Sequence, residues 1–191
     1  MNAYRGWFVT GTDTGVGKTV VSSALVRRLR ERGLRAAGMK PVASGCELTP
    51  AGLRNEDALA LQAEATDRWP YELVNPCAYA PAIAPHLAAP QAGRAIDFDA
   101  LEQAFAAIAS KCDAIVVEGA GGWRVPLVGR ATLADLAMRL GLPVILVVGL
   151  RLGCLNHAFL SAEAIEPAGS RLAGWVGSTF VPQFGCPEDA L

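Results

Sequence analysis

Residues Gly11 to Thr19 read GTDTGVGKT, with the apolar run Trp7-Phe8-Val9 before them and a helix-like stretch from Val20 to Arg32 behind. This order fixes much of what the chain can become. A buried strand must end in a glycine-rich turn whose backbone N–H groups wrap an anion, and a helix must begin there with its dipole pointing at the same anion. Lys18 then reaches the β- and γ-phosphates of a nucleotide, and Thr19 offers its hydroxyl to Mg²⁺. The common spacing is G-x-x-x-x-G-K-[ST]. Here Thr12 takes the first glycine's place and Gly11 lies one residue earlier, so the loop is a slightly longer variant.

The rest of the chain repeats the alternation. Apolar runs bounded by glycine or proline occur at Trp7–Thr10, Ala36–Met39, Ala114–Val117, Pro143–Val148 and Leu172–Val176. Helical patterns fall between them, at Lys18–Arg32, Glu56–Ala65, Phe98–Ser110, Leu133–Leu140 and Leu155–Ile165. Strands alternating with helices predict an α/β fold, a parallel sheet with right-handed crossovers and helices on both faces. The composition agrees, since a hydrophobic fraction of 52% beside 18% charged residues suits strands covered on both sides. Asp97 is placed to cap the third helix, and Gly33 and Gly141 stand where helices should stop. The proline-rich stretch Pro76 to Pro90 reads as an irregular ordered loop. With 191 residues and no internal repeat or linker, one domain is expected, burying roughly 70% of the unfolded surface.

Composition also removes some functions. A formal net charge of −1 gives no general attraction to nucleic acid or to an anionic membrane. Cys46, Cys77, Cys112, Cys154 and Cys186 are odd in number, widely spaced and free of any C-x-x-C pair, which argues against a disulfide framework or a zinc site. The N-terminus lacks a signal-peptide core, and the longest apolar run, Leu142 to Leu150, is too short to span a bilayer. A cytoplasmic protein with a small-molecule substrate is expected.

Several reactive groups fall at the C-terminal ends of predicted strands, where ligands collect in open α/β sheets. Lys40 follows Ala36–Met39 and leads into PVASG; a lysine there can neutralise transferring phosphate charge, or simply be solvated. Glu118 ends the run Ala114–Val117 before Gly119-Ala120-Gly121-Gly122, a position from which a carboxylate serves Mg²⁺ directly or through water. Asp57 opens the second helix and is equally a dipole-stabilising acid or a metal ligand. The segment Arg151 to Asn156 joins a strand to a helix, and its N–H groups suit either a plain helix start or a carboxylate. His86 and His157 have no partner spacing for a metal or a relay and are expected to make structural hydrogen bonds. Cys154 has no base nearby in sequence to make it a nucleophile.

Taken together, the strings GTDTGVGKT, GMKPVASGCELTPAGLRNEDALAL, VNPCAYAPAIAPH, VVEGAGGWRVPL, LPVILVVGLRLGCLNHA and LAGWV resemble the ATP-dependent dethiobiotin synthetases. They run in family order from residue 7 to about residue 177. The resemblance implies that 7,8-diaminopelargonic acid reacts with CO₂ to a carbamate, that ATP phosphorylates the carbamate to a mixed anhydride, and that the second amine closes the ureido ring. It makes Lys40 the catalytic lysine and Thr14 and Ser44 substrate contacts. It assigns Gly15, Val16, Gly17, Lys18, Thr19 and Val20 to the triphosphate, and Glu118, Gly119, Ala120 and Gly121 to the flank of the nucleotide. Thr19, Asp57 and Glu118 would hold Mg²⁺. A homodimer is implied as well, in which Gly153, Cys154 and Asn156 of one subunit bind the substrate carboxylate of the other. Two departures carry expectations of their own. The family usually has Asn at the position of Ser178, where the amide reads adenine; a hydroxyl replaces that donor–acceptor pair, so base selectivity should weaken. Relatives also continue past the equivalent of Leu191 through a segment that completes the nucleotide pocket, so weaker nucleotide binding and an exposed apolar face are expected. A noncatalytic nucleotide or substrate binder and a partitioning-type ATPase are the alternatives.

Overall fold

The computed structural model describes residues 5–179. Residues 1–4 and 180–191, Cys186 among them, lie outside the described residues.

From β1 (Arg5–Gly11) the chain passes through the glycine-rich loop into α1 (Lys18–Glu31) and β2 (Ala36–Met39). An excursion follows through β3 (Val42–Ser44), β4 (Glu47–Thr49), β5 (Gly52–Arg54), α2 (Glu56–Glu64), α3 (Tyr71–Val74), β6 (Cys77–Tyr79), α4 (Pro85–Gln91) and α5 (Phe98–Ala109). The chain then returns through β7 (Ala114–Gly122), β8 (Pro126–Val128), β9 (Ala131–Thr132), α6 (Leu133–Leu140), β10 (Val144–Gly149), α7 (Cys154–Ile165) and β11 (Leu172–Ser178).

Five of these strands form a parallel sheet in the order β11-β10-β1-β7-β2. Successive residues on a strand face opposite sides, and the two sides bury different sets. Phe8, Ile115, Val117 and Val144 join Leu101, Ile108, Leu133 and Leu136 of α5 and α6 in one core. Val9, Val116 and Val147 pack instead with Val26 of α1 and Leu61 of α2. The apolar runs are continuous because both faces are covered. Gly38 in β2 is required by this packing, since a Cβ there would stand 2.8 Å from Leu61 Cβ.

Chain order reverses around β1, which lies between β10 and β7. The C-terminal ends of β1, β2 and β7 therefore open onto a crevice, the usual ligand position in such sheets. Most predicted boundaries are reproduced closely, and Asp97 caps α5 by accepting from the N–H groups of Asp99 and Ala100. Gly141 is the left-handed C-cap of α6.

Two expectations are corrected. The segment Pro76 to Pro90 is not an irregular loop, because it contains β6, paired with β3, and the start of α4. Pro85 occupies the first turn of α4, where its missing N–H costs nothing. Glu118 does not end its strand, because β7 continues to Gly122 and pairs there with Gly11.

Candidate active site

The loop after β1 is built by steric constraint. Gly17, with φ of 88°, is the N-cap of α1, and Gly15 has φ of 74°. Both angles lie in the left-handed region, which glycine enters without Cβ strain. Lys18 is buried and its Nζ donates to the Asp13 carbonyl at 2.8 Å, folding the side chain back over the loop. Burial, reinforced by the positive charge of Lys40, pushes the Lys18 ammonium down to about 8.

Lys40 comes to the same place from the end of β2. It is 4% exposed, and its Nζ donates to Asp57 Oδ2 at 2.8 Å, to Glu118 Oε1 at 2.6 Å and to the Gly119 carbonyl at 3.3 Å. Burial would neutralise such a lysine, but the carboxylates of Glu118 and Asp57 outweigh it and hold the ammonium above its ordinary pKa. Asp57 is likewise held below the usual carboxylate range: burial works against the charge, and Lys40 overcomes it. Thr19 Oγ1 donates to Glu118 Oε1 at 2.9 Å.

One oxygen in this cluster has no partner among the described residues: Glu118 Oε2 is buried and receives no hydrogen bond from them. A buried carboxylate oxygen is costly to leave unpaired. Thr19, Asp57 and Glu118 together present a hydroxyl and two carboxylates, a hard-oxygen set suited to a divalent cation that keeps several waters or phosphate oxygens.

These groups form the floor of a cavity of about 650 Å³, lined also by Thr14, Gly15, Gly17, Val20, Ser44, Ala120 and Gly121. Ser44 Oγ is buried without a hydrogen-bond partner among the described residues. Val16 packs instead into the core beneath the loop, and Gly119 contributes its carbonyl. Ser178, Gly153, Cys154 and Asn156 are not among the residues lining this cavity. Ser178 is buried at the end of β11, where its carbonyl accepts from Leu150 N–H. Gly153 caps the start of α7, which Arg151 ties to the loop through Asp13 at 2.9 Å.

Sequence reasoning missed part of the wall. Asn55 lines the cavity and caps α2 by accepting from Ala58 N–H at 3.2 Å, so Asp57 has no capping role and is free to face Lys40. Asparagine just before a helical pattern was the available signal. Ala43, Ala82, Ile83, Pro85 and Val125 supply an apolar side, and no local pattern marked them. His86 Nδ1 is buried without a partner among the described residues and His157 is exposed, so those residues do not supply the expected structural hydrogen bond at His86 Nδ1.

A family profile described as AAA domain matches residues 5–182. The ATP-dependent dethiobiotin synthetase BioD of Chromohalobacter salexigens is 60% identical over 185 residues, covering 96% of this chain and 78% of the relative. The protein of the same name from Pseudomonas paraeruginosa is 57% identical over 186 residues, covering 97% and 82%. Among solved structures, the kinase domain of Escherichia coli tyrosine kinase ETK is similar with a TM-score of 0.56 and 16% identity, over 92% of this chain and 68% of that one. That last likeness is one of fold alone, a parallel sheet flanked by helices. With such identity over nearly the whole chain, the protein belongs to the ATP-dependent dethiobiotin synthetase family.

Proposed function

We propose that the chain is a ligase of biotin biosynthesis that converts 7,8-diaminopelargonic acid, CO₂ and ATP to dethiobiotin, ADP and phosphate. One observation carries the reading beyond family membership: Lys40 is held as a cation between Asp57 and Glu118 on the floor of the cavity that also contains the phosphate loop. A fixed, buried positive charge is what phosphoryl transfer between two anions needs.

The carbamate formed from one amine and CO₂ attacks the γ-phosphorus, ADP departs, and the remaining amine displaces phosphate as the ring closes. Lys18 and the loop amides bind the triphosphate. Lys40 lowers the repulsion between carbamate and phosphoryl group and positions both. The Ser44 hydroxyl, unpartnered among the described residues, bonds the substrate, and the apolar side at Ala43, Ala82 and Ile83 accommodates its methylene chain. Thr19, Asp57 and Glu118 would hold Mg²⁺, which when bound neutralises triphosphate charge. The active unit is a homodimer working in the cytoplasm, with Gly153, Cys154 and Asn156 of the partner subunit reaching the substrate carboxylate.

Purified protein supplied with ATP, Mg²⁺, bicarbonate and the diamine should release dethiobiotin and phosphate in equal amounts. ATP hydrolysis stimulated by DNA or lipid and indifferent to diamine would replace this reading with a partitioning-type ATPase. Thermal protection by diamine without turnover would indicate a noncatalytic binder.

A further inference from the structure

Lys40 is clamped by its backbone as well as by its side chain. Its N–H donates to the Val74 carbonyl at 2.8 Å, and its carbonyl accepts from Asn75 Nδ2 at 2.6 Å. Pro41 follows and has no N–H, so the sheet ladder cannot continue beyond this point. Asn75, 3% exposed, uses its other amide atom too, because Oδ1 accepts from the Tyr71 hydroxyl at 3.0 Å. The same hydroxyl accepts from Asn55 N–H at 2.7 Å. Asn55 begins α2, and two residues later Asp57 meets Lys40 Nζ.

These bonds form a closed circuit. It runs from the Lys40 ammonium to Asp57, back along the first turn of α2 to Asn55, through Tyr71 and Asn75, and into the Lys40 carbonyl. Tyr71 is fixed from outside, with the Arg54 guanidinium 4.1 Å from its ring centroid. Buried polar groups joined in this way set a unique arrangement, because breaking one bond leaves another group unsatisfied.

We infer that Tyr71 and Asn75 are positioning residues, which keep the end of β2 and the start of α2 in the register that sets the Lys40 ammonium against Asp57 and Glu118. Neither side chain touches the cavity, and both act through Lys40. The inference rests on the reading of Lys40 as the transfer-site cation.

Steady-state kinetics of five variants in the full chain test it. Tyr71→Phe removes one oxygen and keeps the ring under Arg54, and Asn75→Ala removes both amide bonds. Each should lower kcat by roughly 10-fold to 100-fold, the scale of a small misplacement at the reacting centre, with the KM for ATP within about twofold of wild type. Ile108→Val, a change in the same core that Tyr71 joins, controls for lost stability and should leave kcat unchanged. In a Lys40→Ala background, Tyr71→Phe should cause no further loss, because its effect passes through Lys40. Losses that multiply in that background, or a Tyr71→Phe kcat equal to wild type, would overturn the inference. A Lys40→Ala protein as active as wild type would instead overturn the reading beneath it, whatever Tyr71→Phe does.

Discussion

Glu118 has no exposed surface, and its charge is compensated by the Lys40 ammonium and the Thr19 hydroxyl. Removing one partner of a buried ion pair usually costs about 3–5 kcal/mol, because the other charge is left in a low dielectric. Lys40→Ala should therefore have two separate signatures. Turnover should fall by roughly 100-fold to 1,000-fold, as when a preorganised electrostatic group is lost, while diamine affinity changes far less. The unfolding temperature should drop as well, and millimolar Mg²⁺ should recover more of it in the variant than in wild type, because a cation can replace the missing ammonium between Asp57 and Glu118. Equal Mg²⁺ shifts in the two proteins would remove these carboxylates from the metal assignment. Differential scanning fluorimetry beside a turnover assay separates the two signatures.

At the scale of elements, α6 shows how a local sequence signal becomes measurable stability. Asp135 Oδ2 accepts from both Thr132 N–H and Thr132 Oγ1 at 2.7 Å, closing a capping box at the helix start. The Thr132 hydroxyl bond holds the Asp135 carboxyl below its ordinary range. A depressed native pKa means that the stabilisation is fully present above the unfolded value near 4 and is lost as pH falls through the native value. Asp135→Ala should cost about 1 kcal/mol at pH 7, and its difference from wild type should shrink below about pH 4. Thermal unfolding from pH 3 to pH 8 checks this, and a difference growing on acidification would contradict it. Elements with such patterns were legible: β1, β2, β7, β10 and β11 are apolar runs, and α5 carries its cap in sequence. The two-stranded ladders β3–β6, β4–β5 and β8–β9 were not, because two or three residues establish no period. The same division holds at the site. Lys40 and Glu118 could be placed from the runs that precede them, whereas Tyr71 and Asn75 acquire their role only when α3 packs beneath β2.

Among the described residues, α7 presents a surface that the sheet does not cover. Among the twelve residues of α7 only Ile165 is buried, although the helix is largely apolar. Leu155 and Phe159 are each 66% exposed and lie one turn apart, with Leu160 beside them and Leu152 just ahead of the helix at 92%. Residues spaced by four share one helical face, so these side chains make a stripe. A contiguous apolar stripe on this scale marks an interaction surface. In the proposed dimer a second copy covers it, since one patch meeting its own copy across a two-fold axis closes the assembly. The same contact accounts for the position of Gly153, Cys154 and Asn156, which begin α7 yet do not line their own chain's cavity. Phe159→Asp places a charge in the stripe while leaving the sheet, the loop and Lys40 untouched. Light scattering should then report a monomer where wild type is dimeric, and the diamine KM should rise by roughly tenfold or more, with the KM for ATP within about twofold of wild type. A dimeric variant, or a monomer with unchanged diamine KM, would separate the α7 face from substrate binding.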